Sequence, residues 1–181
     1  MKIKALFALA CVSCVLFASS STLYAESRPG ALTVTLAGGA DFFSKKRGLN
    51  NTGVGFLGVG YDFTKHWGIE ALLGFFQPSF THPQPGGRQI NGTLFSFDGM
   101  YHFNAYQLLE PYVLAGIGVI GMNPSLHDAN NETNLNGGLG VAFFIHPAIA
   151  LRIEARDFYT MVGGKNDVLV DAGVTVLFDL C

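Results

Sequence analysis

The chain has 181 residues, enough for one domain; it is 49% hydrophobic and only 13% charged, with 23 glycines, where average soluble domains carry roughly 25% charge. The apolar content excludes intrinsic disorder, and a net charge of −2 excludes the basic surface of a nucleic-acid binder. A helical membrane protein needs runs of about 18 apolar residues. The longest such run beyond the N-terminus, Tyr112 to Met122, is shorter and holds three glycines, which leaves an all-β protein, either a sandwich or a barrel.

Residues 1–25 read as a secretory signal peptide. Lys2 and Lys4 form the basic start, Ala5 to Ala18 the apolar stretch, and Leu23-Tyr24-Ala25 a cleavage site before Glu26. Cys11 and Cys14 lie inside the apolar stretch, without the Leu-small-small order that precedes a lipid-modified cysteine. The expected mature domain, 26–181, keeps a single thiol, Cys181, so it forms no internal disulfide.

The mature chain divides into eight alternating segments: 31–43, 52–64, 67–80, 90–104, 110–123, 132–146, 148–162 and 166–180. Only Lys65-His66 separates the second from the third, and only Pro147 the sixth from the seventh. Ser44–Asn51, Thr81–Gln89 and Pro124–Asn131 are long, polar and turn-rich, and Gly163-Gly164-Lys165 closes the last hairpin. Short turns at one end and long loops at the other predict an all-β, eight-stranded antiparallel transmembrane β-barrel. The short turns would be periplasmic and the longer loops extracellular. An even strand number puts both termini at one end, expected to be periplasmic.

Strand parity separates barrel from sandwich. In 148–162, Arg152, Glu154 and Arg156 share one face and Leu151, Ile153 and Ala155 the other. Glu70 lies opposite the row Ile69, Ala71, Leu73, Phe75. Ser96, Asp98 and His102 lie opposite Phe95, Phe97, Tyr101 and Phe103. Asp171 and Thr175 lie opposite Val170, Ala172, Val174, Val176 and Phe178. The polar rows are sparse and dotted with glycine, as a narrow lumen requires; the apolar rows are continuous, as lipid requires. Arginine at the lipid midplane would cost roughly 2–4 kcal/mol, so the Arg152 row faces inward. Two aromatic girdles are expected: Phe63, Trp67, Tyr101, Phe103 and Phe178 at the turn end, and Phe42, Phe56, Phe80, Phe158 and Tyr159 at the loop end.

Inside, Glu70, Asp98, Arg152, Glu154 and Arg156 are expected to meet as an ion-pair network, because buried charges need partners. Outside, Lys45-Lys46-Arg47 is the only basic cluster and stands where lipopolysaccharide phosphates would be. Two stretches, Gly53 to Gly58 and Gly116 to Gly121, match G-x-G-x-x-G, but no helix follows either, so they read as strand glycines clearing bulky neighbours. Ser125, His127 and Asp128 are the nearest approach to a lipid-modifying triad. Lipid A-modifying barrels resemble one another in a His-x-Ser strand motif that this sequence lacks, and no enzyme activity is expected. Asp128 to Glu132 lack calcium-loop spacing and no Cys/His cluster supports zinc, so neither cofactor nor metal is expected.

Pro111 to Gly118, Gly138 to Val141, Ala150 to Asp157 and the strand ending at Phe178 together resemble the eight-stranded barrel domain of the outer-membrane protein A and porin F type. The resemblance covers nearly all of 31–180. The chain departs from the pattern by stopping at Cys181, so the peptidoglycan-binding domain of the long members is not expected. It departs again at Asp179-Leu180-Cys181, which follow Phe178, the residue that the resemblance assigns as the barrel-assembly signal. The resemblance implies a Gram-negative outer-membrane location, outer-membrane lipid and lipopolysaccharide as surroundings, and the barrel-assembly machinery as a partner in biogenesis. A monomer is expected. The expected role is structural and surface-exposed, with envelope integrity and loop contacts as its content. The alternatives are a small, low-conductance pore with an ion-pair-gated lumen and, behind it, a lipid A-modifying enzyme.

Overall fold

A computed structural model describes residues 27–84, 87–103, 108–124 and 130–179. The signal segment 1–25, the residues Ser125, His127 and Asp128, and Cys181 lie outside them. The strands are β1 (Ala31–Phe42), β2 (Thr52–Asp62), β3 (Trp67–Phe76), β4 (Ser79–Gln84), β5 (Gly87–His102), β6 (Leu109–Pro124), β7 (Asn130–His146), β8 (Ile149–Thr160) and β9 (Lys165–Asp179). Every neighbour pair is antiparallel, and β1 pairs with both β2 and β9. Because β3 also pairs with β5, the wall is a closed meander of eight strands, with β4 a flap on the upper part of β5. Closure removes the unpaired backbone edge that lipid cannot tolerate.

One expected strand, 67–80, is split. Pro78 has no N–H for the ladder, and it separates β3 from β4. Its carbonyl still accepts from the Ile90 amide at 3.1 Å, so the flap stays attached to β5. The last hairpin turns on Gly163 and Gly164, both at positive φ (80° and 56°), where a side chain would be strained.

A row of paired residues runs from Leu32 through Tyr61, Ile69, Gly99, Ala115, Gly137, Asp157 and Val168 and closes on Phe42, ten residues further along β1. Such a stagger in an eight-stranded barrel tilts the strands by roughly 40° and leaves an interior that side chains alone can fill. Glycine makes the filling possible. A Cβ at Gly140 would overlap the Tyr112 ring, and one at Gly116 would overlap Asp98.

The outward rows carry Leu36, Leu57, Leu73, Phe97, Ile117, Leu139 and Ile153, all exposed. They end at the turn side in a belt where Tyr61 meets Phe63 at 5.3 Å and Tyr101 meets Trp67 at 4.9 Å and Phe103 at 5.0 Å. At the loop side Phe42 and Tyr159 are exposed, but Phe56 and Phe158 are not girdle residues: they are 3% and 2% exposed. Their parity places them in the lumen with Val54 and Arg156, so they fill it. Phe80, on the flap, packs against the same inner cluster and is a second departure from the expected girdle.

Candidate functional site

Along β5 the inward residues run Ile90, Leu94, Ser96, Asp98, Met100, His102; along β8 they run Ala150, Arg152, Glu154, Arg156, Phe158. Both strands therefore stack apolar, charged and apolar layers along the axis, and strand pairing brings like layers level.

The middle layer holds Glu70, Asp98, Arg152, Glu154 and Arg156, each in contact with others of the five, and Asp171 is buried level with Glu154 on the neighbouring strand. Arg152 donates to both Glu70 oxygens, at 2.5 and 2.8 Å, and to Glu154 Oε2 at 2.6 Å. Arg156 donates to Glu70 Oε1 at 2.8 Å and also pairs with Asp98 and with Glu154. None of the five is more than 7% exposed. Two guanidiniums thus hold three carboxylates by charge-assisted hydrogen bonds, with the Asp171 carboxyl buried beside them.

Neutral groups complete the layer. Arg152 Nε donates to the Tyr112 hydroxyl at 2.6 Å, and that hydroxyl donates to Glu154 Oε2 at 2.6 Å. Ser96 Oγ donates to Asp98 at 2.6 Å, and Asn136 Nδ2 donates to Ser96 at 2.8 Å. Thr35 and Thr175 share a 2.9 Å hydrogen bond. The sequence reading did not single out Tyr112, although it stands on the inward row of β6 and strand parity would have found it.

Apolar layers close both sides. Towards the loops, Val54, Phe56, Leu72, Phe76, Leu94, Ile120 and Phe158 form one buried cluster. Towards the termini, Met100, Tyr112, Leu114, Phe144, Ala150 and Leu177 form another. Alongside this second cluster a small cavity of about 40 Å³, room for about one water, reaches from Glu70 and Arg152 of the middle layer to Asp62 and His102 near the turn end. It is bordered by His102, whose Nδ1 is 2.6 Å from Glu110, and by Ser27, whose hydroxyl donates to Glu110 at 2.5 Å.

The barrel mouth overturns one expectation. Arg47 belongs to a single 3₁₀ turn (Lys45–Arg47) in loop 1, the segment joining β1 to β2, and its side chain is 3% exposed. It points into the barrel rather than outward: Nε donates to Asp167 at 2.6 Å, and the terminal nitrogens to Glu132 and Thr160 at 2.7 Å each. Lys165 donates to the other Glu132 oxygen at 2.5 Å, and the Ser44 amide to Asp167 at 2.9 Å. Arg47 is thereby removed from any external lipid contact. Three inward acids at the upper strand ends, Asp41, Glu132 and Asp167, needed a cation, and that was the signal available in the sequence. Glu132 lies on β7 above the apolar rows. Burial pushes its carboxyl up, but hydrogen bonds from Lys165 and Arg47, with their charges, hold it below its ordinary range.

Lys45 and Lys46 remain exposed. Lys46 Nζ donates to the Gly164 carbonyl at 2.7 Å. Phe178, at the end of β9, pairs with Leu32 and faces outward. Among the described residues there is no cluster of His, Cys, Asp and Glu that could hold a metal ion.

A closed barrel with an apolar outside, aromatic ends and charged inside is the arrangement of a protein spanning an outer membrane by strands. Residues 7–176 match the outer membrane protein beta-barrel domain. The chain belongs to that family. No curated protein matches it in sequence. Solved structures of the same fold include the N-terminal barrel domain of OprF from Pseudomonas aeruginosa, at 19% identity and TM-score 0.61, covering 84% of this chain and 100% of that one. Neisserial surface protein A is 16% identical with TM-score 0.66, over 84% of this chain and 100% of its own. OprG from Pseudomonas aeruginosa is 13% identical with TM-score 0.64, over 87% and 100%. Identities this low carry the fold, and function has to be argued from the site. The family's members are barrels of the outer membrane, and that is the location of this chain.

Proposed function

We propose that this chain is a structural, surface-exposed barrel that strengthens the envelope and presents its loops to the outside, and that it does not conduct. The observation that supports this reading is the layered lumen. A water path would have to cross the Phe56–Phe158 cluster and the ion-pair layer in series, before reaching the small cavity beside the Met100–Phe144 cluster. Exchanging partners within the ion-pair layer would open only one of these two and leave the apolar cluster shut. In this reading both termini face the periplasm and loop 1 faces outward, where Lys45 and Lys46 meet the phosphates of lipopolysaccharide. Phe178 would be read by the assembly machinery during insertion, and the folded barrel would stand as a monomer.

The test is conductance in a planar bilayer, with protein shown to be folded by its resistance to SDS in the cold. A silent bilayer is expected. Reproducible steps that change size on Arg152→Ala would overturn the reading and favour a pore.

A further inference from the structure

At the upper ends of β1 and β2 a hollow of about 550 Å³ lies between loop 1 and the flap, with Phe43 and Leu49 of the inner cluster behind it. Its lining includes Phe42, Lys45, Asn51, Thr81 and His82, and no carboxylate. Lys45 and His82 are both exposed, and Lys45 stands three residues past Phe42, the aromatic that marks the upper edge of the apolar band. A cation at that height meets the phosphates of the outer leaflet.

The wall beneath the hollow is unusually low. On β1 and β2, Gly38 pairs with Gly55 and Ala40 with Gly53, and all four belong to outward rows. The lumen glycines have an internal reason to lack a side chain; these do not. A Cβ at Gly55 would meet nothing within 4 Å, and one at Gly53 only the Gly39 carbonyl, at 3.8 Å. The Gly-x-Gly of β2 is therefore required by nothing inside the barrel. Phe75, opposite Gly55 on β3, and Leu36 and Leu57 below stand up around the block and make it a trough. A second hollow, of about 530 Å³, opens beside Gly53 and Phe75 and widens the block on its β3 and β5 side.

We propose that this column, cationic above and smooth and apolar below, binds one molecule of a phosphorylated outer-leaflet lipid. Its phosphate sits at Lys45 and His82, with Asn51 and Thr81 as neutral donors, and an acyl chain lies along Gly38, Ala40, Gly53 and Gly55. The proposal rests on the reading that the loop end meets lipopolysaccharide, and it names the place. A soluble anion would use the upper half only; an amphiphile uses both, and the upper half begins at Phe42 and Asn51, where the two strands of the lower half end.

The test is retention of lipid A. The chain is expressed in a Gram-negative host, extracted in mild detergent and weighed by native mass spectrometry, with cold-SDS mobility as the control for folding. One diphosphoryl lipid A per barrel is expected. Lys45→Ala with His82→Ala should retain about tenfold less. Gly53→Leu with Gly55→Leu, which fills the trough from the lipid side, should also release it. Rebinding should fail with dephosphorylated lipid A and should survive millimolar inorganic phosphate. Displacement by phosphate alone would mean a free-anion site and overturn the lipid assignment. Retention at the wild-type level in both double variants overturns the site. If Lys46→Ala then releases the lipid, the broader lipopolysaccharide reading stands without this hollow. If Lys46→Ala retains it as well, that reading fails too.

Discussion

Arg156 and Arg47 both bind carboxylates inside the same barrel, but their backbones differ. Arg156 stands on β8, held by ladders on both sides, and its partners Glu70, Asp98 and Glu154 come from β3, β5 and β8. Its contacts tie wall to wall. Arg47 stands on a single 3₁₀ turn, and its partners Glu132, Asp167 and Thr160 come from β7, β9 and β8. Its contacts tie a loop to the wall. The same charge-assisted chemistry thus braces the barrel in one place and fastens its cover in the other, and what distinguishes the two is the rigidity of the element that carries the cation.

Removing the strand-borne cation is expected to have the largest effect. Arg156→Ala leaves Glu70 and Glu154 on Arg152 alone and takes from Asp98 its arginine, and breaking a buried pair typically costs about 3–5 kcal/mol. The urea midpoint of the folded protein in micelles should fall accordingly. A midpoint equal to wild type would mean that the ion-pair layer does not brace the wall.

Arg47→Ala should act locally. Glu132 keeps Lys165, and the ladders are untouched. Losing the hydrogen bonds to Asp167, Glu132 and Thr160 should free loop 1 at about 1–3 kcal/mol. Trypsin should then cut after Lys45 or Lys46 faster than in wild type, while the urea midpoint moves less than in Arg156→Ala. Equal midpoints in the two variants would erase the distinction between brace and fastener.

The smallest effect is that of pH on the fastener. Glu132 is held below its ordinary range, so its tie to Arg47 and Lys165 contributes fully above the unfolded value, about 4.3, and is lost as pH falls through the lower folded value. Trypsin is inactive there, so the readout is pepsin cleavage of loop 1. Cleavage should rise as the pH drops below about 4, and Glu132→Gln should remove most of that dependence. A rise of the same size in Glu132→Gln would place the titration elsewhere.

The wall and its middle layer were legible in the sequence because a strand has a period of two. Once Arg152, Glu154 and Arg156 share a face, lipid on the other face leaves them only the lumen, and Glu70 and Asp98 follow by the same parity. The same rule applied to Phe56 and Phe158 would have placed them inside; aromatic content near a strand end suggested a girdle, and register decided otherwise. Loop 1 has no such period. A basic triplet in a polar loop reads as surface, and only the folded mouth shows Arg47 turned onto Asp167 and Glu132. The outer hollow was equally hidden, since Phe42 and His82 are distant in the chain and meet through the flap on β5. Sequence alone determined which side of each strand faces lipid, because periodicity is local. Which loop enters the barrel and which residues gather outside it were decided by tertiary structure, because those contacts join segments that no local rule relates.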